Sequence, residues 1–465
     1  MGDGTTVDDS GILLISCYEL GHQPLALASP LAFLERAGLS AQALDISVEP
    51  FDAAMVARAR FVAISVPMHT ALRLGVRVAE QIRKLNPACH ICFYGLYASL
   101  NADYLLAGCG DSVIGGESES ALVRLVEALA AGRPATVEGV KTRQSPAAPV
   151  LERLRFPLPS RARLPGLKKY AHLDRDGRKE LVGYVEASRG CLHLCLHCPI
   201  PPVYGGRFFV VPQDTVMADI RQLARDEGAT HITFGDPDFL NGPGHSMSIV
   251  RAMHAEFPSL SFDFTAKVEH IIEREELFPE LARLGCVFMV SAVESLSDTV
   301  LANLEKGHAR ADVSRALGIV RGAGIAFRPT WVAFTPWTTL EDYLEMVDFV
   351  EREGLIDHVD PVQFTLRLLV PPGSALLARH AITPYLGPLD EAAFIHRWTH
   401  PDPRMDILQR EAARLVEAAA ANDSAVTFSR LKALAYSTAG LSTEPAPAPD
   451  PDRRRPPRLT EAWFC

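Results

Sequence analysis

The chain has 465 residues, room for about three domains at ~150 residues each, and its 48% hydrophobic and 22% charged residues are ordinary globular material. No run approaches the ~18 apolar residues of a membrane span, the first nine residues lack a basic leader, and a net charge of -10 argues against a phosphate-backbone binder. The expectation is a cytoplasmic protein with no membrane and no nucleic-acid partner. Gly2 with Thr6 formally fits a myristoylation pattern, but no polybasic second signal is present after it. Nine cysteines are present, an odd number, and three of them fall within residues 191–198. That crowding points to a metal or redox site in a reducing compartment, not to a disulfide framework.

Short apolar runs at 11–17, 43–47, 60–66, 90–94 and 111–114 have strand length, with helical patterns between them, notably 71–85 and 120–129. Alternating strands and helices with continuously apolar strands predict a parallel sheet covered on both faces. The fold class expected for residues 1–140 is α/β, a flavodoxin-like doubly wound sheet. Ligands of such sheets sit at the carboxyl ends of the strands, which here carry Cys17-Tyr18-Glu19, Pro67-Met68-His69, Gly95-Leu96-Tyr97-Ala98-Ser99 and Gly115-Gly116-Glu117. No G-x-G-x-x-G and no phosphate-binding loop motif is present. Over residues 11–135 the Gly-Leu-Tyr-Ala-Ser and Gly-Gly-Glu-Ser segments resemble the cobalamin-binding domains that precede many radical S-adenosylmethionine (SAM) enzymes. The resemblance makes cobalamin a candidate cofactor. The D-x-H-x-x-G cobalt-ligating motif is absent, leaving His22 and His69 for that role, and a domain that packs without cobalamin is the alternative.

Residues 132–180 are rich in Pro, Arg and Lys, and 141–180 are read as a linker. A second series of strands is predicted at 181–187, 229–235, 259–266, 286–293, 325–333 and 361–369. Helices are predicted between them at 214–227, 245–256, 272–284, 311–323 and 340–353. Six such units over residues 181–385 predict a partial (β/α)6 barrel, with functional residues at the carboxyl ends of its strands. Residues 386–441 read as a small helical region.

Directly after the first strand of this series stands Ser188-Arg189-Gly190-Cys191-Leu192-His193-Leu194-Cys195-Leu196-His197-Cys198-Pro199, a C-x3-C-x2-C spacing. Three thiolates on one short loop can each hold one iron of a cubane [4Fe–4S] cluster, leaving the fourth iron open for a chelating ligand. The competing reading is a Cys3His zinc site using His193 or His197, in a non-catalytic binding module.

This loop and the strands and helices after it, over about residues 181–370, resemble the radical SAM superfamily. The resemblance implies that Cys191, Cys195 and Cys198 hold a [4Fe–4S] cluster and that SAM chelates the open iron. One electron, from a donor such as flavodoxin or ferredoxin, then breaks a carbon–sulfur bond of the sulfonium. The segment 235–239, with Gly235 and Asp236, resembles the stretch that meets the SAM amino group, its alternative being a capped turn. Glu294 and Ser295 resemble the Glu-Ser segment of radical SAM methyltransferases and methylthiotransferases, whose acidic residue contacts the SAM ribose or amino group. Arg367 is a candidate for the SAM carboxylate through a bidentate fork, with Arg328 as competitor. The superfamily's Gly-x-Pro-Gly-Glu-Thr signature is replaced by Phe334-Thr335-Pro336-Trp337-Thr338-Thr339.

Residues 442–458 are low-complexity and read as a mobile tether, leading to a Trp463-Phe464-Cys465 terminus. This ending resembles radical SAM proteins that finish in a Cys-Cys or Cys-selenocysteine pair followed by Ala-Glu-Pro. The chain stops at the first cysteine of that pair, read either as a selenocysteine codon taken for a stop or as a natural end. That group includes the radical SAM enzyme of arsinothricin biosynthesis. The implied reaction transfers a 3-amino-3-carboxypropyl group from SAM to trivalent arsenic, a small-molecule substrate. Cys465, a soft ligand on a leash, is then the candidate catalytic thiolate, and Cys286 a second arsenic-handling candidate. The other readings are a cobalamin-dependent radical SAM methyltransferase of natural-product metabolism and the zinc module.

Overall fold

The computed structural model describes residues 11–420, 422–442, 450 and 453–460. Strands β1 (Ile12–Ser16), β2 (Gln42–Asp45), β3 (Phe61–Ser65), β4 (His90–Tyr94) and β5 (Ser112–Ile114) pair in parallel in the order β2-β1-β3-β4-β5, and β6 (Val140–Lys141) closes the edge antiparallel. Successive side chains of a strand point to opposite faces, and both faces are apolar here. Leu13 and Ile15 pack under the helices His69–Leu85 and Ala102–Ala107, while Ile12 and Leu14 pack under Leu25–Arg36 and Glu119–Ala130. This is the doubly wound arrangement expected.

The second sheet takes β7 (His172–Arg175), β8 (Arg178–Val185), β11 (His231–Phe234), β12 (Ser261–Ala266), β13 (Cys286–Glu294) and β14 (Ala326–Trp331). Between β8 and β11 in the chain lie β9 (Ser188–Gly190) and β10 (Phe208–Val210), an antiparallel pair that carries the cysteine loop. From β8 to β14 the five strands run parallel and curl into a half-barrel in the order β14-β13-β12-β11-β8. Amphipathic helices, among them Gln213–Arg225, Arg310–Gly322 and Leu340–Arg352, bury its outer face.

Three expectations change at this point. The sixth strand, expected at 361–369, is a 3-10 helix at Pro361–Thr365 started by Pro361 and by Asp360, whose carboxylate accepts from Val362 N. Only the Phe334–Arg367 bridge remains of its pairing. The helix expected at 272–284 is two helices, Val268–Glu273 and Phe278–Arg283, because Pro279 starts a new one. Residues 386–398 form a hairpin, β15 (Leu386–Asp390) with β16 (Ile395–Trp398), before the helices Pro403–Ala418 and Ser424–Thr438.

The tail also departs from the mobile tether expected. Arg453 pairs with Asp357 and Asp423 at 2.7 Å each, and Arg458–Leu459 form β17, antiparallel to β7. Charge pairing and the unpaired backbone edge of β7 hold a segment that has few apolar groups of its own. Because β7 is itself antiparallel to β8, the chain through β17 runs in the direction of β8. It therefore heads toward the end of the half-barrel where the cysteine loop stands. Gly2, Thr6, the tether start at Thr443, and Trp463, Phe464 and Cys465 lie outside the described residues.

Between the two sheets, the segment read as a linker carries a buried anchor. Arg161 forks onto Asp219 (2.7 Å to each oxygen), donates to Gln23 Oε1 in the first domain and to the Tyr184 carbonyl on β8 (both 2.7 Å). One guanidinium thus joins the linker to the first domain and to β8 of the second, with every bond charge-assisted.

Candidate active site

The cysteine loop leaves β9 and is held by backbone bonds on both sides: Cys191 N to Arg207 O at 3.1 Å and Leu196 N to Leu304 O at 3.0 Å. Cys191 and Cys195 are buried and Cys198 half-buried, all as free thiols. Burial raises the Cys198 thiol to about 12, and burial together with neighbouring negative charge also raises Cys191. A cationic cluster would reverse this at Cys191 and Cys198, since bound metal deprotonates a coordinating thiol. Backbone N–H groups of His193 and Ile200 already favour the charged forms of Cys191 and Cys198. Asn241 Oδ1 lies 3.9 Å from Cys191 Sγ and 3.4 Å from Leu192 N. The donor set therefore fits an iron–sulfur cluster. Among the described residues, the Cys, His, Asp and Glu side chains with three ligand atoms all within 4.8 Å of one another are His193, Asp238 and His270.

Beside the loop, Glu294 ends β13 with φ +66°, a left-handed conformation rare for a residue with a side chain. Its carboxylate sits 3.4 Å from Lys306 Nζ and 3.5 Å from His197 Nε2. Burial would raise this carboxyl, but the Lys306 charge and His197 outweigh it and hold the pKa at about 2. Glu294 is thus a fixed buried anion between His197 and Lys306, and Lys306 also favours the charged form of the Cys198 thiol. Lys306 was not singled out from the sequence. Its only signal was its place in the Asn303-Leu304-Glu305-Lys306-Gly307-His308 run after the Glu-Ser segment.

Two cavities open at the strand ends. One, about 190 Å3, lies in the half-barrel and is lined by Thr233, Asp263, Arg328, Asp360, Gln363 and the tail's Leu459, among others. The second, about 220 Å3, lies between the domains and is lined by the ends of β3 and β4, Glu186, Ser188, Ile200 and Tyr204. Leu20, Tyr184 and Gly235 line both, so they form the wall between them. His22 stacks on Tyr184 (ring centroids 4.5 Å apart), extending that wall from the first domain.

Gly235 and Asp236 are therefore at the junction. A Cβ on Gly235 would stand 2.1 Å from the Tyr184 ring, so the glycine makes room for that side chain. Asp236 accepts from Ala187 N (2.9 Å) and Ser188 Oγ (2.5 Å), pinning the end of β11 to the strand that enters the cysteine loop. Burial raises its carboxyl to about 7. Arg328 reaches into the barrel cavity and donates to Pro457 O at 3.4 Å. Asp263, which sequence reasoning passed over, faces the same cavity with His231 Nε2 at 2.8 Å and Thr233 Oγ1 at 2.6 Å.

Other candidates are placed elsewhere. Arg367 forks between Asp406 and the Trp398 carbonyl (2.6 Å each) and lies 3.4 Å over the Trp398 ring, so its charge is used to dock the C-terminal region. Ser295 accepts from Ser297 N and shapes the turn after Glu294. Cys286 is buried at the start of β13 with its Sγ 3.4 Å from Phe288 O, and it lines neither cavity. His69 is bonded to Ala393 O at 2.7 Å and His22 faces the barrel cavity, so among the described residues no histidine lines the interdomain cavity.

An unforeseen staple spans the domains. Arg189, two residues before Cys191, pairs with Glu119 (2.6 Å), Glu186 (2.7 Å) and Glu117 (3.4 Å). Burial raises Glu117 to about 7, against the pull of Arg189. The acidic Glu117-Ser118-Glu119 run and the Arg beside the motif were both visible, but only the fold makes them neighbours.

Residues 185–352 match the Radical SAM superfamily. The uncharacterized methyltransferase PH0819 of Pyrococcus horikoshii is 24% identical over 299 residues, covering 62% of this chain and 62% of the relative. The ribosomal protein uS12 methylthiotransferase RimO of Chlorobium chlorochromatii is 22% identical over 179 residues, covering 37% of this chain and 40% of the relative. The chain thus spans less than two thirds of the length of the curated relatives it matches. Among solved structures, the cobalamin-dependent SAM radical enzyme OxsB with aqua-cobalamin bound superposes with a TM-score of 0.70 at 16% identity, covering 88% of this chain and 67% of OxsB. The radical SAM methyltransferase TsrM of Kitasatospora setae, with tryptophan and a SAM analogue, gives 0.60 at 20% identity, covering 73% and 71%. These likenesses establish the shared fold. Residues 185–352, which match the superfamily, carry the cysteine loop at the head of the half-barrel, and that match implies a [4Fe–4S] cluster and SAM as cofactors.

Proposed function

We propose that the protein is a radical SAM transferase that cleaves SAM reductively and passes a carbon fragment to a small acceptor in the half-barrel. The observation that carries this reading is the Cys191–Cys195–Cys198 loop standing at the strand ends of a parallel half-barrel, beside two cavities that share one wall. When bound, the cluster, reduced by a donor such as flavodoxin or ferredoxin, supplies the electron that opens a carbon–sulfur bond. The chain's own groups hold and orient the reactants. Glu294, ionised between Lys306 and His197, offers an acceptor to the SAM ammonium or ribose. Arg328 offers a guanidinium to a carboxylate in the barrel cavity. Asp236 fixes the strand entering the loop, and the Leu20–His22–Tyr184 wall screens the barrel cavity from the interdomain one.

At the finer level, the fragment is a 3-amino-3-carboxypropyl group and the acceptor trivalent arsenic. Two observations support this. The barrel cavity, about 190 Å3, suits a small acceptor. The tail enters the barrel at Leu459 running toward the cysteine loop, and the six residues beyond it extend at most ~20 Å, enough to bring the soft Cys465 thiolate to that cavity.

The second reading, cobalamin-dependent methyl transfer, is supported by the first domain, whose fold is shared with enzymes solved with cobalamin bound. The interdomain cavity, about 220 Å3, is below the ~300–1,000 Å3 of drug-sized ligand sites, so a corrin ring requires the Arg189 staple to open.

Product analysis of the reduced, iron-loaded chain with SAM and As(III) separates the readings. Methylthioadenosine is the expected product. Formation of 5′-deoxyadenosine with one cobalamin per chain selects the second reading. Neither product, from protein with a full cluster, refutes SAM cleavage altogether.

A further inference from the structure

The His193–Asp238–His270 group lies outside both cavities and has no part in the reaction proposed for them. His193 sits in the cysteine loop, Asp238 after β11, and His270 on the helix Val268–Glu273. One atom from each lies within 4.8 Å of the others. Asp238 is fully buried, and the two imidazoles keep only 15% and 12% of their surface exposed. Asp238 Oδ2 is 2.8 Å from His270 Nδ1 and 3.4 Å from His193 Nε2.

At those distances a hydrogen bond is the ordinary expectation. Both contacts lie at ion-pair distance, yet by the stricter geometry of a hydrogen bond His193 Nε2 and His270 Nδ1, both buried, have no partner. The rings are 4.5 Å apart at their centroids and tilted by 56°, and one ligand atom from each of the three side chains lies within 4.8 Å of the other two. Buried imidazole nitrogens left unbonded are costly, and convergence with a carboxylate on one space is how a metal site removes that cost.

The remaining contacts agree. Asp238 Oδ1 is used by Leu240 N (3.0 Å), while Oδ2 faces the two imidazoles and takes one long backbone contact, from Lys267 N (3.4 Å). On the far side of His193, Nδ1 is 3.0 Å from Lys267 Nζ and 3.6 Å from Glu269 Oε2. A metal on Nε2 requires a proton on Nδ1, which displaces the Lys267 ammonium from that nitrogen and leaves Glu269, 3.6 Å away, as the acceptor it must turn to. Lys267, already 3.1 Å from Glu269, then remains paired with that carboxylate. A carboxylate behind a ligating histidine is the usual support of such sites.

We propose that His193, Asp238 and His270 form a mononuclear site for a borderline divalent transition metal, zinc or ferrous iron, distinct from the cysteine cluster. Two imidazoles and one carboxylate are the ligand set such ions favour, whereas magnesium and calcium take oxygen donors. Through His193 the site would brace the loop that carries Cys191 and Cys195.

The test uses the cluster-loaded full chain, stripped of loose metal and kept anaerobic. One portion receives one equivalent of Zn(II), a second Co(II), and a third Fe(II), each followed by desalting and metal counting by plasma mass spectrometry. Wild type is expected to keep about one added metal beyond the ~4 irons of the cluster. Co(II) also gives an electron paramagnetic resonance signal, readable while the oxidised cluster is silent. His270→Ala is expected to lose the added metal and the cobalt signal with its cluster iron unchanged, and His270→Gln to behave alike. Zinc should raise the thermal midpoint of wild type and leave that of His270→Ala unmoved. Zinc retained but not added iron assigns a zinc site, and the converse an iron site. Equal retention by wild type and both variants, or no retention by wild type, overturns the proposal. Cluster iron, counted in the same samples, reports on the cysteine loop separately.

Discussion

Removing the cation beside Glu294 tests the electrostatics of the site directly. In Lys306→Met the carboxylate keeps its burial, 8% exposed, and loses the charge 3.4 Å away. In the wild type its pKa is held at about 2 against an ordinary 4.5, a difference of about 3 kcal/mol at 1.36 kcal/mol per unit. Because the folded value lies below the unfolded one, that stabilisation is complete above 4.5 and is lost only as pH falls toward 2. In the variant, burial becomes the leading influence and pushes the carboxyl above its ordinary value. The sign then reverses, and the protein gains stability as the carboxyl takes up a proton. Near neutral pH the variant should be about 3–5 kcal/mol less stable, the cost of breaking a buried pair, and the gap should narrow by about pH 6. Urea unfolding of the cluster-loaded chains at the two pH values measures both, and equilibrium dialysis should show weakened SAM binding. A gap below about 0.5 kcal/mol, or one that widens as pH falls, would refute the argument.

Three further outcomes are expected. Cys195→Ala should hold fewer than the ~4 irons of a full cluster and lose SAM cleavage, read by iron content and nucleoside analysis. Arg189→Met leaves Glu117, Glu119 and Glu186 together without their guanidinium, and should loosen the domain interface by about 3–5 kcal/mol, seen as proteolysis within residues 141–160 that wild type resists. Leu459→Asp places a charge against Phe288 and Val290, so β17 should detach, and amide exchange in β7 should rise while that of β12 stays as it was.

The elements that could be read from the sequence were those set by local pattern. Apolar runs at 60–66 and 286–293 and helical spacing at 340–353 recur as β3, β13 and the helix Leu340–Arg352, because a buried parallel strand and an amphipathic helix each carry their period in the chain. The cysteine loop was legible for the same reason, since all three donors sit in eight residues. What depends on distant partners was not. Arg367 is an arginine in an apolar stretch, and nothing local shows that Asp406 and Trp398 take it instead of a ligand. The tail has a disordered composition, and its docking depends on Asp357, Asp423 and the free edge of β7. Lys306, Arg189 and the His193–Asp238–His270 group are likewise made by tertiary contact alone.

The wall between the two cavities gives the most direct link from sequence to reaction control. Tyr184 lies across Gly235 because that position has no side chain, and a methyl there would stand 2.1 Å from the ring. Gly235 has no positive φ, so alanine meets no backbone penalty, and Gly235→Ala tests space alone. The ring must then leave its seat over the strand end, and its stacking on His22 at 4.5 Å goes with it. The wall opens, and water or SAM from the interdomain side reaches the barrel cavity. A radical formed without its acceptor enclosed is quenched, so SAM consumed per product formed should rise several-fold, while iron content stays near the ~4 of a full cluster. Measuring nucleoside release against product in the same reaction gives that ratio. An unchanged ratio in Gly235→Ala, with a full cluster, would show that Tyr184 does not partition the site.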